Sequence, residues 1–229
     1  MTTRHRDDLP SLREQLFVLA HDETRSLKPH LHVPAIGVGL AGAAVIDLLI
    51  AKRIHIAQGS PYLHRSYEQG PAGDPVTHQV LAMIGNLRHT PGLHLLLREL
   101  GPDLYDQTLT ALIAKDVITR DRRWGRTRYE LTRITPAARV RQKVRYRIEG
   151  RQRPDPHVDA LCALTWALNL QHCLVMDLSE ADIDELLRGV MHRIPELVRW
   201  NDPDAPAAAI PEVADAARTA VGAMATSPY

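Results

Sequence analysis

Cysteine is nearly missing from this chain, and so are the motifs that usually announce catalysis. Only Cys162 and Cys173 occur in 229 residues, eleven positions apart in an apolar, helix-like stretch. They read as reduced core residues, not as a disulfide or half of a metal site. There is no His-Glu-x-x-His and no Gly-x-Ser-x-Gly nucleophile turn, and Ser60 in QGSPY lacks the second glycine. Twelve histidines are present, and His30-x-His32 would set two imidazoles on one side of an extended segment. Neither a cysteine nor an acid stands near that pair in sequence, so no metal or cofactor is expected. An enzyme would have to assemble its site from distant loops, and the expectation is a non-enzymatic protein. The opening MTTRHRDDLP is polar and has no apolar h-region, so a cytoplasmic protein is expected, not a secreted one.

A strong net charge is lacking too, with a formal balance of only +1 at pH 7. That balance conceals a segregation. Between Arg120 and Arg153 thirteen Lys and Arg residues meet only Asp121, Glu130 and Glu149, a local net of +10 that leaves −9 for the rest of the chain. A patch of one sign steers partners through its local field whatever the total. Twelve of those thirteen are arginine, whose planar guanidinium grips phosphate through two parallel hydrogen bonds where lysine offers a point charge.

The length suits a single domain with a sizeable core. Residues 1–8 read as a short polar tail and 9–229 as one mainly α domain. Leu12, Leu16 and Leu19 recur on one face of an amphipathic helix between Leu9 and His21, with Pro10 and Ser11 as start signals. Pro34 then opens PAIGVGLAGAAVIDLLIA, nearly long enough to span a bilayer. Asp47, three glycines and many alanines favour a core helix surrounded by other helices. Gly37-x-Gly39-x-x-Gly42 matches the dinucleotide fingerprint by letters, but the strand and turn that its mechanism needs are lacking, so the glycines read as packing positions. A Gly/Pro-rich loop is expected from Gln58 to Pro75, then helical patterns in VTHQVLAMIGNL, LHLLLREL and LYDQTLTALIAKDVI. ITRDRRWGRTRYELT reads as a β-hairpin turning at Gly125, and a helix resumes after Pro136. VDALCALTWALNLQHCLV signals a second core helix, Ser179 caps another, and the tail ends in an Ala-rich helix. No repeat of fixed period occurs, and strand content is small.

The basic segment carries the strongest functional signal. Arg120, Arg122, Arg123, Arg126 and Arg128 surround Trp124 and Tyr129 on the hairpin, and Arg139, Arg141, Lys143, Arg145 and Arg147 crowd the helix after it. Two phosphate-bearing partners compete for it. At an anionic membrane each basic residue contributes on the order of 1 kcal/mol, and Trp124 would anchor at the interface. The alternative is a winged-helix-like nucleic-acid-binding protein, with arginines on backbone phosphate and the hairpin as wing.

Five stretches in order, LREQLFVLAHDE, GLAGAAVIDLLIAKRIHI, TALIAKDVITRDRR, TRITPAARVRQKVR and PDPHVDALCALTWALNL, resemble the Golgi phosphoprotein 3 family of lipid-reading adaptors in its shorter bacterial form. The resemblance implies a central helical bundle with a protruding basic hairpin that serves membrane contact and self-assembly. It also implies binding to phosphatidylinositol 4-phosphate or another anionic phospholipid at the cytoplasmic face of a membrane, and a protein cargo. The expected lipid- and phosphate-binding residues are His32, Arg98, Arg122, Arg123, Trp124, Arg126 and Arg128. The family's pocket uses a tryptophan where this chain has His32 and an arginine where it has Ala41. Its two further arginines, three apart on a later helix, fall on Pro102 and Tyr105 or on Arg98 and Gly101, depending on the alignment.

Overall fold

The computed structural model describes residues 11–22, 26–64, 73–87, 91–123, 126–202 and 205–226. Among them eight α-helices and three two-stranded antiparallel hairpins enclose one hydrophobic core, which is the mainly α class expected.

The first helix, α1 (Leu12–Leu19), starts where Ser11 Oγ accepts the Glu14 N–H at 3.2 Å, an N-cap that satisfies one of the helix's free donors. All eight of its residues are buried, which corrects the expectation of a helix with one wet face. Its polar side is closed by ion pairs instead. Arg13 donates to Thr108 Oγ1 at 2.7 Å and to Asp74 Oδ1 at 2.8 Å, while Glu14 Oε1 accepts from Lys115 Nζ at 2.5 Å. Periodicity reports which side of a helix is polar, and packing decides whether that side meets water or a partner.

Helix α2 (Val33–Ile50) is a core helix, packed by α1, α3 (Pro75–Asn86), α4 (Leu93–Ala114), α6 (Pro156–Ala167) and α8 (Ile210–Thr226). Its glycines do the work expected of packing positions. A Cβ on Gly37 would lie 2.4 Å from the Gly101 carbonyl oxygen, and one on Gly39 would lie 2.4 Å from Leu168 Cδ1. The first contact is backbone against backbone, so α2 and α4 can cross this closely only if both residues lack a side chain. Helix α4 runs unbroken for 22 residues through Gly101 and Pro102, although the sequence reads as two segments there. Pro102 lacks an N–H, which frees the Arg98 carbonyl. Both residues are exposed, so water can reach that turn.

Asp47 interrupts the apolar run of α2. Its Oδ2 accepts the Leu12 N–H at 3.2 Å, and burial pushes its carboxyl up to about 7. The native state therefore holds a proton that the unfolded chain has already lost between about pH 4 and pH 7. Rising pH through that window favours unfolding, and the penalty is complete above it. Discounted for residual water access, it amounts to roughly 2–3 kcal/mol. Asp47→Asn keeps the acceptor and removes the charge. The variant is expected to exceed wild type by that amount in urea unfolding at pH 8 and to match it near pH 4, and equal stabilities at pH 8 would refute the account.

Two local corrections follow from left-handed residues. Strands β3 (Ile54–Ala57) and β4 (Ser60–Leu63) form a hairpin whose turn and second strand fall in the stretch expected to be loop. Gln58 and Gly59 make its turn, with φ of 50° and 70°, the signs that a tight hairpin turn requires. Helix α6 stops at Ala167, eight residues short of Val175 where helical pattern ends. Asn169 is left-handed (φ 53°), and the Leu170 N–H reaches back to the Thr165 carbonyl at 3.0 Å. That is a Schellman stop. A 3-10 turn, Gln171–Leu174, leads on to α7 (Glu180–Asn201), which Ser179 caps as expected.

Candidate anion-binding surface

The basic hairpin forms as the sequence indicates, from β5 (Ile118–Arg123) and β6 (Arg126–Leu131). Ile118, buried and opposite Leu131 in register, roots it against α4. Trp124 and Gly125 lie outside the described residues. Strand alternation divides the arginines that the sequence groups together. Arg120 (opposite Tyr129) and Arg122 (opposite Thr127) share one face, and Arg128 (opposite Asp121) lies on the other. Arg120, Arg122 and Arg128 are all exposed. Arg123 and Arg126 pair with each other at the tip end of the ladder. The hairpin therefore offers cationic groups from two sides, where a single patch was expected.

Helix α5 (Thr135–Ile148) follows, with Ala137, Val140, Val144 and Ile148 on its buried stripe. Its basic residues separate into two kinds. Arg139, Arg141, Lys143 and Arg145 are half-buried along the edges of the stripe. Arg147 is only 6% exposed and points inward to Asp159 of α6, with Nε on Oδ1 and Nη2 on Oδ2 at 3.4 Å. Burial holds the Asp159 carboxyl above its ordinary range despite the pull of the guanidinium. Arg147 thus belongs to the core, a correction to its grouping with the surface charge.

Sequence reading also missed a groove of about 500 Å³ between α5 and the 3-10 turn, lined by Arg141, Gln142, Arg145, Tyr146, Arg151 and Val175. Gln142 Nε2 donates to the Tyr146 hydroxyl at 2.7 Å within this lining. The spacing of Arg141 and Arg145 carries the i, i+4 signal of a shared helix face. Arg151 joins only because the chain turns at Gly150, which has a φ of 71°.

His32 and Arg98 stand elsewhere. His32 is exposed at the N-cap of α2, with no capping bond from its ring. Arg98 is exposed on α4, sixteen residues before Ala114. At 1.5 Å per residue that is about 24 Å along the axis from the end where the hairpin leaves. The structure therefore sets Arg98, on α4, apart from the described arginines of the hairpin.

A family model described as Golgi phosphoprotein 3 (GPP34) matches residues 12–224. The chain belongs to the Golgi phosphoprotein 3 family. Comparison with curated protein sequences gives no match. The family match covers the hairpin, α5 and the helices beyond Leu170, where the sequence resemblance ended. At the positions that the resemblance assigns to the Golgi phosphoprotein 3 headgroup pocket, this chain is built differently. Ala41 is fully buried, and Gly101 lies backbone to backbone with Gly37. Tyr105 is engaged by His21. The Nδ1–H of that histidine donates to the Phe17 carbonyl at 2.7 Å, so its Nε2 accepts the Tyr105 hydroxyl at 3.0 Å. Burial pushes His21 down to about 4, which keeps the ring neutral at physiological pH.

Proposed function

We propose that this member of the Golgi phosphoprotein 3 family is a non-catalytic, peripheral membrane protein of the cytoplasmic face, binding anionic phospholipid through the β5–β6 hairpin. The observation that carries this reading is a hairpin rooted by Ile118 and Leu131 with Arg120, Arg122 and Arg128 exposed on its two faces. Each arginine near lipid phosphate contributes on the order of 1 kcal/mol, so three of them with help from α5 give about 3–5 kcal/mol, enough for reversible attachment. Because the charges lie on both faces, docking tip-first brings more of them to phosphate than lying flat would. A protein cargo and self-assembly through the hairpin complete the adaptor reading.

For phosphatidylinositol 4-phosphate the support is narrower. His32 and Arg98 are exposed and available to a headgroup, but a buried Ala41 leaves no room for the family's arginine at that position. The nucleic-acid alternative meets an electrostatic objection. Helix α4 would be the reading helix, yet its inner side is packed against α2 and its outer side exposes Glu99, Asp103 and Asp106, which repel phosphate.

Vesicle co-sedimentation tests the proposal, with neutral, anionic and phosphatidylinositol 4-phosphate vesicles compared beside duplex DNA at one ionic strength. Anionic vesicles should be bound at least about tenfold more tightly than neutral ones, with affinity falling as salt screens the charges. Equal binding to neutral and anionic vesicles, or tighter binding to DNA at physiological salt, overturns the reading.

A further inference from the structure

We propose that His30, His172 and Cys173 form a binding site for a divalent transition metal of the zinc class. His30 follows β2 (Lys28–Pro29), and its backbone N–H is fixed to the Ala20 carbonyl at 2.9 Å. His172 and Cys173 sit on the 3-10 turn after α6. The Schellman stop at Asn169 swings that turn back over the bundle and brings a thiol to a histidine that has no sulfur partner nearby in sequence. One ligand atom from each of the three side chains lies within 4.8 Å of the other two. Cys173 Sγ is 3.4 Å from His172 Nε2, and the His30 and His172 rings meet edge to face at 5.3 Å.

These separations suit tetrahedral coordination. Bonds of about 2.0–2.1 Å to nitrogen and 2.3 Å to sulfur place neighbouring ligand atoms roughly 3.3–3.6 Å apart. The sulfur–nitrogen edge already has that length, and the other ligand-atom separations, within 4.8 Å, shorten toward it when an ion is bound. Two imidazoles and a thiolate select a borderline-soft ion and disfavour calcium and magnesium, which take oxygen ligands. With three protein ligands, the fourth position is left for water on the side where His172 is exposed. Binding is an acid–base exchange. The thiol proton leaves to solvent, the sulfur lone pair forms the metal bond, and no electron is transferred.

The site joins two connections that both carry left-handed residues, Ser26 and Leu27 before His30, and Asn169 and Val175 around the turn. A β-branched residue such as Val175 strongly disfavours its φ of 47°, so a cross-link here holds a conformation that local preference opposes. The other cysteine, Cys162, is fully buried in α6, where burial drives its thiol far up, and it is not a ligand.

The test uses the full-length chain without an affinity tag. Zn²⁺ is titrated against a chromophoric chelator, and Co²⁺ is added separately to read the near-ultraviolet thiolate-to-metal charge-transfer band. Wild type should bind one equivalent and develop the band. His78→Gln, which changes an exposed histidine on α3, should do the same. Cys173→Ser should lose the band, and both it and His30→Gln should lose at least about 100-fold in Zn²⁺ affinity. Zn²⁺ should raise the Tm of wild type and leave that of His30→Gln unchanged. Absence of the band in wild type overturns the proposal, as does wild-type Zn²⁺ affinity in a folded His30→Gln. That second variant keeps the test decisive even where Cys173→Ser fails to fold.

Discussion

Replacing Arg120, Arg122 and Arg128 together by glutamate is expected to lower affinity for anionic vesicles by at least about 100-fold, with the helical circular dichroism unchanged. Three contributions of about 1 kcal/mol each correspond to roughly 150-fold if the charges are merely removed, and reversal adds repulsion. The fold should survive because all three side chains are exposed and the hairpin is held by its backbone ladder and by Ile118 against Leu131. Partial variants read the geometry. Tip-first docking requires that Arg120→Glu with Arg122→Glu on one face, and Arg128→Glu on the other, each weaken binding. A hairpin lying flat would leave one of the two sets silent. Wild-type vesicle binding by the triple variant would refute the lipid reading.

The second large effect belongs to the interior. Asp159→Ala and Arg147→Met are each expected to cost about 3–5 kcal/mol in urea unfolding, because either change strands a buried group without its partner. Arg147→Met combined with Asp159→Leu should recover most of that loss. The pair itself adds little net stability, as the raised carboxyl of Asp159 already indicates: burial opposes its charge more strongly than Arg147 favours it. A single substitution costing under about 1 kcal/mol would mean that the pair is effectively solvated. The contrast with the hairpin is a useful one. Two arginines from the same basic segment, Arg122 and Arg147, should respond in different assays, one in vesicle binding and the other in stability.

Much of the fold was legible because it depends on local rules. Ser11, Ser179 and the glycines of α2 stand where caps and close packing need them, and the basic hairpin is marked by β-formers on either side of Trp124-Gly125. The failures are equally local in origin. Gln58-Gly59 is a modest turn signal inside a Gly/Pro-rich stretch, and Asn169 is an ordinary polar residue until its φ is known. Helix α1 was misread for a different reason, since the partners that bury Arg13 and Glu14 come from residues 74, 108 and 115.

The candidate sites divide along the same line. The sequence by itself determined the family, the mainly α class, and a net of +10 concentrated between Arg120 and Arg153, because each rests on the order and type of neighbouring residues. Only the tertiary structure decided how that charge is used. Strand alternation sent Arg122 and Arg128 to opposite faces, helix packing took Arg147 into the core, and the length of α4 set Arg98 apart from the hairpin. It also brought Cys173 to His30. Contacts between residues far apart in sequence depend on where helices stop and how closely they cross, and neither leaves a periodic trace in the chain.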